Sequence, residues 1–180
     1  MTKIAAVIGG GVIGGGWAAR FALNGWNVQV FDPDPQAERK IGEVMANARR
    51  SMPGLTDVAL PDEGAISFHD SISDAVQGAS WIQESVPERL EIKHTTFGAI
   101  QQACDPDAVI GSSTSGFKPS ELQDGMARPD QIMVAHPFNP VYLLPLVELV
   151  PGNGIDADLD RDVPAAPEER DRRPCRGPLP

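Results

Sequence analysis

The chain has 180 residues, enough to bury a core without disulfides or a structural metal, and its length suits one domain or one domain with a tail. Hydrophobic residues make up 41% and charged residues 22%, while a net charge of −10 argues against nucleic acid, whose phosphates need a basic surface. Cys104 and Cys175 are too isolated to read as a disulfide scaffold or a metal site, and no apolar run reaches the roughly 18–20 residues that cross a bilayer. The first residues run from Met1-Thr2-Lys3 into a short apolar stretch broken by glycines. A signal peptide needs a longer apolar region and a small-residue cleavage site, so a cytoplasmic location is expected.

The first apolar run, 4–8, predicts a strand that leads straight into Gly9-Gly10-Gly11-Val12-Ile13-Gly14, and a helix is predicted over 12–24. A G-x-G-x-x-G by itself is weak, but a strand before it and a helix after it give each residue a task. Gly9 permits the tight turn, Gly11 lets the backbone approach a pyrophosphate, and Gly14 lets the helix pack close to the strand. The amide groups that open the helix, at Val12 and Ile13, then face the phosphates with the positive end of the helix dipole. Asn24-Gly25 ends this helix, 28–31 is the second strand, and Asp32 stands at its carboxyl end, 18 residues beyond Gly14. A carboxylate there accepts hydrogen bonds from ribose hydroxyls and repels a 2′-phosphate, so NAD is expected rather than NADP.

Further along, helices are predicted over 35–52, 73–77, 88–104 and 119–125, and strands over 65–68, 81–84, 109–112, 132–135 and 146–150. Strands alternating with helices imply a parallel sheet covered on both faces. The expected fold class is α/β, a Rossmann-type, doubly wound, mostly parallel sheet occupying residues 1–150. From 151 to 180 the chain holds six prolines, twelve charged side chains and no hydrophobic periodicity. Such a composition cannot offset its ordering entropy by burial, and disorder is expected there.

In a doubly wound sheet, ligands sit beyond the carboxyl ends of the strands. Ser115 follows one predicted strand end and His136 the next. Oxidising an alcohol requires a group that takes the hydroxyl proton as hydride leaves carbon, and histidine suits that task. Glu148, across a proline-punctuated loop, would fix the tautomer if it met the imidazole, and a serine hydroxyl could hydrogen-bond the substrate oxygen. A histidine beside a proline is also an ordinary structural residue, and a serine-rich loop is also plain turn chemistry. The residues alone leave both readings open. His69 and His94 lack such surroundings and read as structural.

The stretches GGGVIGGGWAARF, WIQESVPERLEIK, GSSTSGFKPSEL and HPFNPVYLLPLVELV together make the chain recognisable over roughly 3–150. It resembles the 3-hydroxyacyl-CoA dehydrogenase superfamily, nearest its carnitine-oxidising members. That resemblance implies NAD-dependent oxidation of a small-molecule 3-hydroxy acid, either carnitine or an acyl-CoA thioester, with no metal. It implies His136 as general base paired with Glu148, Ser115 in contact with substrate, and Glu88 and Lys93 beside the cofactor. Tyr142 or Trp81 would hold a quaternary ammonium by cation–π attraction or would simply be core aromatics. Family members form homodimers through a helical carboxyl-terminal domain, whereas this tail looks like the product of truncation or a reading-frame change. On that expectation the chain binds NAD and turns over weakly or not at all, and a catalytically silent NAD-binding module is the alternative.

Overall fold

The computed structural model describes residues 3–55 and 59–154, so the tail predicted over 151–180 lies, past residue 154, outside the described residues. Seven strands form one sheet: β1 (Ile4–Ile8), β2 (Asn27–Phe31), β3 (Ile66–Phe68), β4 (Trp81–Glu84), β5 (Val109–Ser112), β6 (Ile132–Pro137) and β7 (Val147–Val150). The helices are α1 (Val12–Leu23), α2 (Ala37–Ser51), α3 (Ile72–Ala75), α4 (Leu90–Ala103) and α5 (Pro119–Gln123). The strand order is β3-β2-β1-β4-β5-β6-β7, parallel throughout except for the last pair, in which β7 runs antiparallel to β6. The chain winds outward from β1 through β2 to β3, then returns to build β4 to β6 on the other side. That reversal puts a topological switch point between β1 and β4, where open α/β sheets bind ligands.

Strand alternation divides the core cleanly. Ala5, Val7, Trp81, Met133 and Ala135 join one cluster with α1 and α2, while Ala6, Ile8, Ile82, Ile132 and Val134 join the other with α3, α4 and α5. Because both faces are covered, the central strands read as continuous apolar runs rather than alternating ones. α2 is amphipathic and buries Ala37, Ile41, Met45 and Ala48, spaced at helical intervals. α1 buries every residue from Gly14 to Leu23, because it lies under the sheet and against α2 at once. Trp17 stacks on Phe21, and Phe21 meets Trp26 at a tilt, with ring centroids 5.4 Å apart in each pair. Trp81 is likewise a core residue, 2% exposed, and its indole N–H donates to Gln83. Tyr142 is half-buried and packs against the same cluster, so Trp81 lies in the core and Tyr142 at its edge.

Two elements depart from expectation near the carboxyl edge of the sheet. β6 runs on through His136 and Pro137 because β7 pairs with it, register His136↔Glu148 and Pro137↔Val147. The sequence predicts this strand over 132–135, two residues short of its observed end. α4 begins at Leu90, not at residue 88, and Glu88 stays outside it to bind a neighbouring loop. Among the described residues, no helix is long and apolar enough to cross a membrane.

Candidate active site

The glycine turn joins β1 to α1 at backbone contact. Gly9 has φ +99°, and a Cβ placed there would sit 2.6 Å from the Ser85 carbonyl oxygen. A Cβ on Gly14 would lie 1.7 Å from the Gly9 carbonyl oxygen. Gly11 differs, because nothing lies within 4 Å of the Cβ it lacks. α1 opens at Gly11 with no side-chain cap and no acidic residue in its first turn. The leading amides of Val12 and Ile13 therefore carry the positive end of the helix at its open tip, where Val12 is 71% exposed. Next to them, the Asp32 carboxylate accepts from Gly10 N at 2.5 Å and from Asp34 N at 2.7 Å. These residues fit a dinucleotide: amide donors and a helix dipole for the diphosphate, an open Gly11 for close approach, and a fixed carboxylate for the ribose.

The second cluster lies at the ends of β5, β6 and β7. Directly opposite one another across the antiparallel pair, His136 Nδ1 and Glu148 Oε2 are 2.9 Å apart. An ionised carboxylate can only accept, so in a neutral imidazole Nδ1–H donates to it and Nε2 keeps its lone pair. The imidazole side chain is 31% exposed and the carboxylate 59%. Strand alternation places Val134, His136, Glu148 and Val150 on one face, where with Ser115 and Lys118 they help line a cleft of about 340 Å³. The structure thus brings three of the predicted catalytic residues to a single cavity.

Between the two clusters lies a network that joins Glu88 and Lys93, both expected beside the cofactor, to Glu84, which sequence reasoning missed. Glu84, the last residue of β4, and Lys93 of α4 are both fully buried. Lys93 Nζ reaches Glu84 Oε1 at 2.8 Å and Oε2 at 3.0 Å, and Glu88 Oε2 at 3.2 Å. Glu84 also accepts from Val86 N at 2.8 Å and from the Ser112 hydroxyl at 2.5 Å. Glu88 accepts from the Thr114 hydroxyl at 2.5 Å and from Ser115 N and Gly116 N, each at 3.0 Å. Burial works against ionisation of Glu88, but the Thr114 hydroxyl, the Lys93 ammonium and the Gly116 amide together hold its carboxyl below the usual carboxylate range. A signal was available, since Lys93, Phe97 and Ile100 follow one another at helical spacing and α4 buries all three. A lysine on the core face of a helix demands a buried counter-charge.

The family described as 3-hydroxyacyl-CoA dehydrogenase, NAD binding domain, matches residues 4–175. The chain is 73% identical over 146 residues to an L-carnitine dehydrogenase/betainyl-CoA thioesterase of Ruegeria pomeroyi, a match covering 81% of this chain and 30% of that protein. It is 53% identical over 150 residues to an L-carnitine dehydrogenase of Mesorhizobium japonicum, covering 83% of this chain and 41% of that one. This chain therefore spans less than half the length of either relative. A solved NAD-dependent dismutase, 5-formyl-3-hydroxy-2-methylpyridine 4-carboxylic acid 5-dehydrogenase, matches with a TM-score of 0.79 at 32% identity, covering 88% of this chain and 52% of its own. Since the family is matched along nearly the whole sequence, the chain belongs to the 3-hydroxyacyl-CoA dehydrogenase family through its NAD-binding domain, and NAD is its cofactor.

Proposed function

We propose that this chain supplies the cofactor-binding and proton-transfer half of an NAD-dependent 3-hydroxy acid dehydrogenase whose substrate is L-carnitine. The observation that carries the reading is the His136–Glu148 pair opening onto the same cleft as Ser115. NAD, when bound, would supply the hydride acceptor for the substrate's secondary carbon. His136 Nε2 takes the hydroxyl proton as the carbon–oxygen double bond forms, and the Glu148 carboxylate stabilises the imidazolium that results. The Ser115 hydroxyl donates to the substrate oxygen while it carries negative charge. Gly9, Gly11 and Gly14 shape the diphosphate cradle, the amides of Val12 and Ile13 donate into it, and Asp32 holds the ribose. Glu88 borders the nicotinamide end, with Lys93 beneath it. Carnitine is favoured as substrate by the names of the relatives at 73% and 53% identity.

A second reading, oxidation of a 3-hydroxyacyl-CoA, follows from the family's own description. The two separate in one assay: NADH formation with L-carnitine against NADH formation with 3-hydroxybutyryl-CoA, on a sample whose NAD affinity has been measured by calorimetry. Turnover of the thioester alone would replace carnitine as the substrate. Binding of NAD without turnover of either compound would leave a cofactor-binding module.

The role of Asp32 is tested without turnover. Asp32→Asn removes the charge while keeping one oxygen acceptor, so NAD affinity is expected to fall about tenfold. Affinity for NADP should hold or rise, because the repulsion of its 2′-phosphate disappears. Parallel titrations with the two cofactors check this, and an unchanged NAD-to-NADP ratio would remove Asp32 from the ribose site.

A further inference from the structure

We propose that Glu84 and Lys93 form a buried positioning pair that, through Glu88, clamps the loop 113–117 carrying Ser115. Lys93 has no exposed side-chain surface, so in this state its ammonium cannot meet a ligand. A lysine in the core is tolerated only when its charge is paired and its donors are used. Glu84 neutralises it, and the remaining ammonium contact falls on Glu88. Two carboxylates then share one cation, leaving about one negative charge. That charge rests on the Thr114 hydroxyl and the backbone amides of Ser115 and Gly116. Glu84 fixes the other end of the same loop directly, through the Ser112 hydroxyl at the tip of β5.

Apolar side chains of similar volume would serve stability as well as a buried ion pair does. They would not set the direction of Glu88. The pair's product is therefore orientation: it aims an acceptor at two consecutive loop amides, and so fixes where Ser115 presents its hydroxyl to the cleft. The clamp is a property of the fold without ligands. Only its consequence for the rate rests on the reaction proposed above.

Amide hydrogen exchange on the 180-residue chain tests it, in Glu88→Gln and in the double variant Glu84→Gln/Lys93→Met. The double variant removes both buried charges together and leaves neither uncompensated. In both, the Ser115 and Gly116 amides should exchange about tenfold faster, with β1 and α1 amides and the melting temperature little changed in Glu88→Gln. Glu88 is 43% exposed, so its variant keeps the test readable if the double variant does not fold. Wild-type exchange at both amides in Glu88→Gln would overturn the clamp. Loss of protection in Glu88→Gln but not in a folded double variant would overturn the part assigned to Glu84 and Lys93. Where carnitine is turned over, the loss should fall on kcat and not on KM.

Discussion

Gly14→Ala is expected to lower stability by about 3 kcal/mol and to weaken NAD binding about 100-fold. The added methyl would lie 1.7 Å from the Gly9 carbonyl oxygen, and no rotation relieves it because both partners are backbone. Either α1 moves away from β1 or the Gly9 turn opens. Both responses misplace the leading amides of the helix that are proposed to meet the diphosphate. Gly11→Ala makes the opposite case. Its φ of −65° suits any residue, and nothing lies within 4 Å of the new methyl, so stability should stay within about 1 kcal/mol. NAD affinity should nevertheless fall, since the methyl enters the space through which the diphosphate approaches. Thermal denaturation and calorimetry on the two variants separate packing from ligand contact. A Gly14→Ala chain that melts and binds as the unaltered chain does would refute the cradle.

How much of this was legible in the sequence depends on which force fixes each element. β1, α1 and β2 were legible because glycine spacing, apolar runs and Asp32 all act locally. The His136, Glu148 and Ser115 cluster was legible as residue types and through the family resemblance, not through periodicity. That His136 lies inside β6, facing Glu148, follows from β7 turning back antiparallel through the segment 138–146, and no periodicity encodes that direction. With β7 paired, Pro137 at the end of β6 no longer terminates the strand at residue 135. The sequence predicts Glu88 as the first residue of a helix over 88–104. Glu88 is drawn out by the amides of Ser115 and Gly116, residues 27 and 28 positions away. The Glu84–Lys93 pair was hidden for a related reason: nothing local in WIQE says which partner Glu84 meets, while tertiary packing buries all four residues.

His136→Gln should lower the rate of NADH formation from the 3-hydroxy acid by about 10²- to 10⁴-fold, the usual contribution of a positioned general base. Glutamine can still hydrogen-bond at this place in β6, but it has no basic nitrogen to receive the hydroxyl proton. NAD affinity should stay within about threefold, because the residues assigned to the cofactor stand at other strand ends, a change of under 1 kcal/mol. Glu148→Gln should cost less, roughly tenfold. Its amide oxygen can still accept from Nδ1–H and keep the imidazole oriented, and what disappears is the charge that stabilises the imidazolium. That charge is 59% exposed, so water screens part of its effect in the native site. The ranking is therefore the informative result. If Glu148→Gln proved the more damaging, proton transfer would belong to the carboxylate and His136 would be its support. If neither change touched the rate, while Asp32→Asn still weakened NAD, the cofactor site would stand and the reacting centre would have to be sought elsewhere in the cleft.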